Sequence, residues 1–276
     1  MSNVFKAACV QMTSGPVIDD NLKAAGEMIR EAAAAGARLI ATPENTCHMI
    51  FPATERLKTS PVQEKHPGLP YFSDLARELG VWLSIGSMSV KAGDGKLFNR
   101  SFLFSDDGAL VATYDKIHLF DVQLPTGETH KESDLMNPGT RAVAVKTPLA
   151  ALGLSVCYDL RFSYLFRDLA KARAEVLMVP AAFTVPTGKA HWETLIRARA
   201  IETGSFVVAA AQTGEHAGGR KTWGHSMIVG PWGEVLAAAG EETGIIMAEI
   251  DTAQVARVRA AIPALKHDRE YEIINV

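Results

Sequence analysis

Short apolar runs alternate along the chain with segments whose apolar residues have helical spacing. Apolar runs of strand length lie at 4–11, 38–42 and 176–180. Between the first two runs, apolar residues recur every three or four positions up to about Ala35, which is the spacing of one helix face. Gly36 is expected to end that helix. The beginning of the chain therefore predicts a strand, a helix and a second strand.

The same alternation continues to the C-terminal region. Asp19 and Asp20 offer an N-cap to the first helix, and hairpin turns are predicted at 105–108 and 230–233. Further helices are predicted at about 70–79, 163–172, 190–203 and 252–261. Further strands are predicted at about 81–89, 98–104, 109–114, 152–157, 206–212, 223–229, 234–238 and 245–250. This mixture of alternating elements and hairpins predicts a layered α/β fold with a mixed sheet.

Three chemically distinct side chains stand at or just past the ends of predicted strands, namely Glu44, Lys116 and Cys157. Sites in α/β proteins usually form at the carboxyl ends of strands. If these strands are neighbours, a carboxylate, an ammonium and a thiol meet at one rim. Residues 117–141 have few periodic apolar positions and predict a long loop, which is often functional in a compact domain.

A carboxylate, an ammonium and a thiol suit nucleophilic catalysis. A free thiol has a pKa of about 8.5, so little thiolate is present at neutral pH. A nearby carboxylate can take the thiol proton as general base. An adjacent ammonium favours the thiolate and can stabilise an oxyanion. These residue types are those of an activated thiol nucleophile, although Cys157 also has the simpler interpretation of a buried structural cysteine.

Composition excludes several other classes of protein. The 276 residues carry 28 basic and 31 acidic side chains, a formal net charge of -3, so no nucleic-acid or anionic-membrane partner is expected. The three cysteines form no CxxC pair, which suits a reducing compartment. We find no leader-like segment and no apolar run of about 18 residues, so we expect a cytoplasmic protein made of one domain over 1–276.

Metal and phosphate sites are not expected either. The eight histidines lack the H-E-x-x-H pattern or another metal-ligand spacing. His118 and His225 are expected to be core or rim groups. Gly188-Lys189 resembles the end of a phosphate-binding loop, but Ala190 replaces the required Ser or Thr.

Several longer motifs occur in one order from the first strand almost to the C-terminus. They are PEN at 43–45, YDKIHLFD at 114–121, KES at 131–133, GLSVCYDLRF at 153–162, HWETLIRARAIE at 191–202 and GHSMIVGPWGEV at 224–235. In order and spacing they resemble the nitrilase, or carbon–nitrogen hydrolase, superfamily. The resemblance implies a four-layer α-β-β-α sandwich. It also implies a homodimer or higher homo-oligomer, with the helices near 163–172 and 190–203 and the tail at about 263–276 in the interface.

The resemblance also assigns catalytic roles. The family triad of Glu, Lys and Cys falls on Glu44, Lys116 and Cys157, and a second glutamate falls on Glu132. By hypothesis, Glu44 deprotonates Cys157, and the thiolate attacks an amide carbonyl while Lys116 and the N–H of Tyr158 hold the oxyanion. Ammonia leaves, a thioester forms, and Glu44 activates the water that hydrolyses it. Glu132 holds Lys116, and no metal or organic cofactor is required.

The expected substrate is a small amide that bears a carboxylate. Arg161 suits bidentate carboxylate capture, although it also has Asp159 and Asp168 as possible structural partners. Phe183 and Thr187 match other pocket positions of the amidase branch. The motifs look most like deaminated-glutathione amidases, which we favour, and like ω-amidases acting on α-ketoglutaramate or α-ketosuccinamate.

Three alternatives and one unmatched segment remain open. A nitrilase or an N-carbamoyl-amino-acid hydrolase would share the triad, and an inactive binding or scaffold homologue would not need it. The segment NTCHMIF at 45–51 matches neither amidase branch. Within it, Cys47 is expected to serve packing rather than to line the pocket, and Cys9 is expected in the core.

Overall fold

The computed structural model describes residues 3–125 and 127–275, which fold into two six-stranded sheets with helices on both outer sides. The helices are α1 Ile18–Ala34, α2 Glu55–Thr59, α3 Gly68–Leu79, α4 Ser163–Lys171, α5 Val185–Thr203 and α6 Ala253–Ala261. The strands are β1 Val4–Gln11, β2 Ala37–Ala41, β3 Trp82–Lys91, β4 Leu97–Phe104, β5 Leu110–Asp115, β6 Asp121–Gln123, β7 Thr129–Lys131, β8 Val143–Lys146, β9 Ala151–Leu154, β10 Val176–Met178, β11 Phe206–Ala209, β12 Thr213–Glu215, β13 Lys221–Trp223, β14 Met227–Val229, β15 Val235–Ala238 and β16 Gly244–Asp251.

Both large sheets are mixed, as the sequence predicts. The first has the order β16-β1-β2-β3-β4-β5 and the second β15-β14-β11-β10-β9-β8. In the first sheet β1, β2 and β3 are parallel, and in the second β9, β10 and β11 are parallel. Antiparallel strands flank both parallel sets. Each sheet therefore presents carboxyl ends of parallel strands at one rim, where sites are usually built.

The alternation of side chains along β1 explains the layering. Ala7 and Cys9 belong to the apolar cluster between the two sheets, whereas Ala8 and Val10 belong to a second cluster under α1 and α3. Successive strand residues point to opposite faces, so a strand buried on both sides is apolar throughout. Helices α4 and α5 cover the outer face of the second sheet. The four-layer α-β-β-α sandwich is confirmed, and Cys9 lies in the core as expected.

Helix boundaries follow the predicted signals at their C-termini better than at their N-termini. Gly80 and Gly204 end α3 and α5 with φ of 63° and 58°, a left-handed conformation that glycine adopts readily. The N-cap prediction for α1 is wrong, since Val17 occupies that position and makes no side-chain cap. Asp19 and Asp20 instead lie in the first turn, where carboxylates favour the helix dipole.

Two segments are more structured than their sequence indicates. The loop predicted at 117–141 contains the hairpin β6–β7 and a short 3-10 helix, Glu132–Asp134, although Thr126 within it lies outside the described residues. The strand predicted at 223–229 is divided between β13 and β14, and β13 pairs with β12 in a separate two-stranded hairpin. Strands of three residues carry too little periodicity to be found by pattern.

The C-terminal region leaves large apolar side chains exposed. Trp232, Tyr271, Ile273 and Ile274 are each at least 60% exposed. The predicted interface at about 263–276 includes Val276, which lies outside the described residues. Across the described ranges, every helix is too short or too polar to cross a membrane.

Gly86 on β3 lies where segments of the two sheets come into close contact, and its substitution tests that contact. A Cβ added there would lie 2.1 Å from the Thr42 carbonyl oxygen and 2.5 Å from Cβ of Pro180. Because both contacts are with backbone or rigid side-chain atoms, we expect Gly86→Ala to lower the free energy of unfolding by about 1–3 kcal/mol. Urea titration measures the change. Gly93→Ala, with no heavy atom within 4 Å, is the control, and equal stability of both variants would contradict this contact.

Candidate active site

Glu44 lies in a buried turn three residues past β2. The Gln212 side chain donates to the Glu44 carbonyl oxygen at 3.0 Å. The following residue, Asn45, has a φ of 57° and donates its N–H to Oγ of Ser87 at 2.9 Å. These bonds from neighbouring segments fix the turn, so the Glu44 carboxylate is held with only 4% of the residue exposed.

Lys116 follows β5 directly and lies between two carboxylates. Its Nζ donates to Glu44 Oε1 at 3.1 Å and to Glu132 Oε2 at 2.8 Å. The Lys116 carbonyl accepts from the N–H of Gly139, where a Cβ would lie 2.1 Å from the Asp115 carbonyl oxygen. The ammonium is almost fully buried, which requires such partners.

Asn99 on β4 joins the two carboxylates and was not predicted. Its Nδ2 donates to Glu44 at 2.8 Å and to Glu132 at 3.2 Å. The N–H of Phe120 also donates to Glu132, at 2.7 Å. A lone asparagine in a strand gives no sequence signal, and only the sheet brings it beside Glu44.

Cys157 does not end a strand, which corrects the prediction. It begins a 3-10 helix, Cys157–Arg161, three residues after β9, with a φ of 51°. A positive φ is strained for a residue with a Cβ, and such strain clusters at functional sites. The Cys157 N–H donates to the Pro180 carbonyl at 2.8 Å. The Cys157 thiol lies within hydrogen-bonding reach of the Glu44 carboxylate and of the Ala182 N–H.

The strands that carry these residues are not neighbours, contrary to the simplest expectation. β2 and β5 belong to the first sheet with β3 and β4 between them, and β9 belongs to the second sheet. The carboxylate, ammonium and thiol therefore converge across the gap between two sheets. Glu132 reaches the same point from the 3-10 helix after β7.

Asp159 anchors the turn that presents Cys157. This fully buried carboxylate accepts from the Tyr114 hydroxyl at 2.7 Å and from the N–H groups of Val156 and His118 at 2.8 and 3.0 Å. Tyr114 and His118 flank Lys116 in sequence. Asp159 thus links the segment that carries Lys116 to the segment that carries Cys157. His118 is a rim group, as the sequence predicts.

Arg161 has different neighbours from the structural partners considered for it. Within the described parts of the chain it forms no ion pair with Asp159 or Asp168. Its Nη2 lies 3.2 Å from His191 Nδ1, and its guanidinium lies over the rings of Tyr158 and Phe183 at 5.8 and 5.7 Å. The guanidinium is therefore available to a ligand.

Electrostatics define the resting protonation states. Burial raises the pKa of Glu44, but the charge of Lys116 and the hydrogen bonds from Cys157, Lys116 and Asn99 outweigh it, so the pKa is lowered. Burial lowers the pKa of Lys116, but the charges of Glu132 and Glu44 outweigh it and raise the pKa. Burial and the charge of Glu44 raise the pKa of Cys157 well above its ordinary value. The resting site holds carboxylate, ammonium and neutral thiol.

These side chains line one pocket of about 680 Å³, including its open mouth. The pocket also contains all four residues predicted to bind substrate, which are Tyr158, Arg161, Phe183 and Thr187. Cys47 is buried outside this lining, as expected. Among residues 3–125 and 127–275, no group of three His, Cys, Asp or Glu side chains could hold a metal ion.

Two arginines in the lining were not predicted. Arg56 comes from α2 and Arg220 from the turn between β12 and β13. The segment 45–51, which the motifs did not match, lies beside them and contributes Asn45 and Phe51 to the pocket wall. These parts of the pocket wall are about 165 residues apart in the chain. A contact between such distant segments cannot be seen in a local sequence pattern.

Comparison with known proteins identifies the family. The model of the carbon–nitrogen hydrolase family matches residues 6–260. This chain belongs to the carbon–nitrogen hydrolase family. As a carbon–nitrogen hydrolase it is an enzyme, and the resemblance stated from the motifs is confirmed.

Named relatives place this carbon–nitrogen hydrolase in the branch of the family that contains deaminated glutathione amidases and omega-amidases. It is 42% identical to the deaminated glutathione amidase of Mus musculus, over 95% of this chain and 82% of that protein. It is 37% identical to omega-amidase NIT2 of Xenopus tropicalis, over 99% of this chain and 97% of that protein. Its fold matches the NitFhit protein of C. elegans with a TM-score of 0.90 and 38% identity, covering 97% of this chain and 65% of that one.

The lowered pKa of Glu44 predicts how stability depends on pH. A carboxyl whose folded pKa is depressed stabilises the protein above its unfolded pKa of about 4.3, and this contribution is lost as pH falls through the lower folded value. We expect wild type to lose stability relative to Glu44→Gln below about pH 4.3. Urea unfolding between pH 7 and pH 3 measures it. The exposed Glu64→Gln is the control, and parallel profiles for wild type and Glu44→Gln would refute the shift.

Proposed function

We propose that this protein is a cysteine amidase that hydrolyses a small carboxylate-bearing amide, with deaminated glutathione as the favoured substrate. The observation that carries the proposal is the contact of the Cys157 thiol with Glu44, which itself accepts from Lys116. These are the nucleophile, base and cation that acyl transfer requires. The amidase relatives at 37–42% identity support the same activity.

The resting protonation states suit the first chemical step. Because the pKa of Glu44 is lowered and that of Cys157 is raised, the proton moves from sulfur to carboxylate only as sulfur attacks the carbonyl carbon. Lys116 and the N–H of Tyr158, in the first turn of the 3-10 helix, donate to the developing oxyanion. Glu132 and Asn99 hold Lys116 and Glu44 in place.

Collapse of the tetrahedral intermediate breaks the carbon–nitrogen bond and leaves a thioester on Cys157. Glu44 returns its proton to the leaving amine. For deaminated glutathione, a keto acid joined through an amide to cysteinylglycine, that amine is the dipeptide. Ammonia, the leaving group predicted from the sequence, is released instead when the substrate is an ω-amide. Glu44 then takes a proton from water, which attacks the thioester and regenerates the thiol.

Omega-amidase activity on α-ketoglutaramate is the second candidate. The relative from Xenopus tropicalis, which matches 99% of this chain, carries that name. Both substrates share a keto acid, for which we propose Arg161 as carboxylate ligand, with Phe183 and Thr187 beside it. The open guanidinium over two aromatic rings supports this role.

We further propose a cytoplasmic homodimer. The exposed apolar groups Trp232, Tyr271, Ile273 and Ile274 support an interface that includes the tail. The three cysteines are free thiols, which suits a reducing compartment. Size-exclusion chromatography with light scattering tests the assembly.

Replacement of the nucleophile is the direct test of the mechanism. We expect Cys157→Ala to reduce kcat for amide hydrolysis by at least about 10³-fold, since the substitution removes the thiol that forms the thioester. Cys47→Ala, also at a buried cysteine, is the matched control and is expected to retain activity per folded molecule. Near-normal hydrolysis by Cys157→Ala would defeat the scheme.

Substrate comparison tests the choice within the family. We expect turnover of deaminated glutathione and α-ketoglutaramate to exceed that of a simple nitrile and an N-carbamoyl amino acid, because Arg161 provides a ligand for the keto-acid carboxylate. Release of amine, ammonia or carbon dioxide distinguishes the products. Preference for the nitrile or carbamoyl substrate would overturn the proposal.

A further inference from the structure

Arg56 and Arg220 form a second cationic group in the pocket, separate from Arg161. Arg56 is only 8% exposed, and its Nη1 donates to Asn45 Oδ1 at 3.0 Å. Arg220 donates through Nη2 to the Ala182 carbonyl at 3.0 Å, and its guanidinium lies 5.0 Å from the centre of the Phe51 ring. In the chain as described, neither arginine has a carboxylate partner within salt-bridge distance.

Both arginines keep an unused donor in a buried position. Nε of Arg56 and Nε of Arg220 have no hydrogen-bond partner among the described residues. Burial lowers the pKa of Arg56; Glu132 counters that effect, and the charge of Arg220 adds to it. An unpaired charge is costly where water is excluded, so a ligand that supplies acceptors to these donors would stabilise the pair. Guanidinium forks match carboxylates geometrically.

Backbone contacts fix the wall that carries these arginines. The N–H of Phe51 donates to the Ala217 carbonyl at 3.1 Å. Gly218 has a φ of 89°, and a Cβ there would lie 2.5 Å from the Phe51 carbonyl oxygen. The segment 45–56 and the β12–β13 hairpin therefore pack backbone to backbone. Binding to a wall held by such contacts loses little conformational entropy.

Ala182 places this wall beside the nucleophile. Its N–H lies within hydrogen-bonding reach of the Cys157 sulfur, and its carbonyl accepts from Arg220. Arg220 and the sulfur of Cys157 therefore both contact Ala182. Arg161, in contrast, contacts Tyr158, Phe183 and His191, which differ from the hydrogen-bond and ring partners that Arg56 and Arg220 have among the described residues.

The balance of charge favours a ligand with more than one carboxylate. Five cationic side chains and two carboxylates line the pocket, although the whole chain has a net charge of -3. One carboxylate on Arg161 would leave Arg56 and Arg220 unmatched. An ω-amide that releases ammonia supplies nothing for them, whereas an amide of a carboxylated amine supplies a second carboxylate.

We propose that Arg56 and Arg220 bind the carboxylate of the leaving amine, so that the pocket selects amides whose amine half ends in a carboxylate. This inference rests on the proposed amidase function. It adds residues that determine specificity for the amine half, while Arg161 recognises the keto-acid half. Cysteinylglycine, the amine half of deaminated glutathione, has the required chemistry.

The test compares two substrates that differ only at that carboxylate. They are deaminated glutathione and its derivative with the glycine carboxylate converted to a primary amide. For wild type we expect kcat/KM to favour the free carboxylate by at least about 10-fold. We expect Arg220→Gln to reduce this preference by about 10-fold, to near equality of the two substrates, chiefly through KM for the free carboxylate. Arg56→Gln is expected to act in the same direction.

Three further variants separate this role from general effects. Lys221→Gln removes a neighbouring cation that pairs with Glu215 on the surface, and it should leave the preference unchanged. Arg161→Gln should lower kcat/KM for both substrates alike, because both carry the keto-acid carboxylate. Arg220→Lys, which keeps the charge without the fork, should fall between wild type and Arg220→Gln.

The outcomes distinguish the inference from the proposed function. If wild type hydrolyses neither deaminated glutathione nor α-ketoglutaramate, the proposed function fails. If it hydrolyses both but shows equal kcat/KM for the acid and its amide derivative, only the inference fails. An unchanged preference in folded Arg220→Gln also overturns it. The wild-type comparison decides the matter even where a variant does not fold.

Discussion

The ammonium of Lys116, buried between the carboxylates of Glu44 and Glu132, is the interaction on which the site depends. Removing three charges from water is costly, and only close mutual contact offsets that cost. Asn99 donates to both carboxylates, and the N–H of Phe120 donates to Glu132. The cluster keeps Glu44 ionised next to a neutral thiol. The Glu44 carboxylate and the neutral Cys157 thiol therefore lie together in a site that is largely closed to solvent.

The charge cluster and the thiol beside it come from turns of both sheets. Glu44 and Lys116 belong to turns of the first sheet, and Cys157 belongs to a turn of the second. Asp159 ties the two together through Tyr114, His118 and Val156. The apolar cluster between the sheets sets their separation, so packing far from the pocket determines distances within it.

The sequence predicted the local features well. Strand runs such as 4–11 and the glycine helix ends at Gly80 and Gly204 have short-range physical causes, and the structure agrees with them. The motifs around Glu44, Lys116 and Cys157 indicated which side chains to examine. The sequence did not predict Asn99, Arg56 or Arg220, because their environments arise from contacts between distant segments. The 3-10 helix at Cys157 was hidden for another reason, since an apolar run does not reveal where its strand ends.

The backbone of Ala182 has a consequence for the size of substrate that can react. Hydrogen bonds of Ala181 and Gln212 to the neighbouring strand region fix this stretch, and Ala182 is itself buried. Arg220 is held against this fixed main chain by its hydrogen bond to the Ala182 carbonyl. Under the proposed function, the amine half of the substrate must reach from the scissile bond to that guanidinium, and an amine chain that is too short or too long would misalign the bond even when its charge is correct.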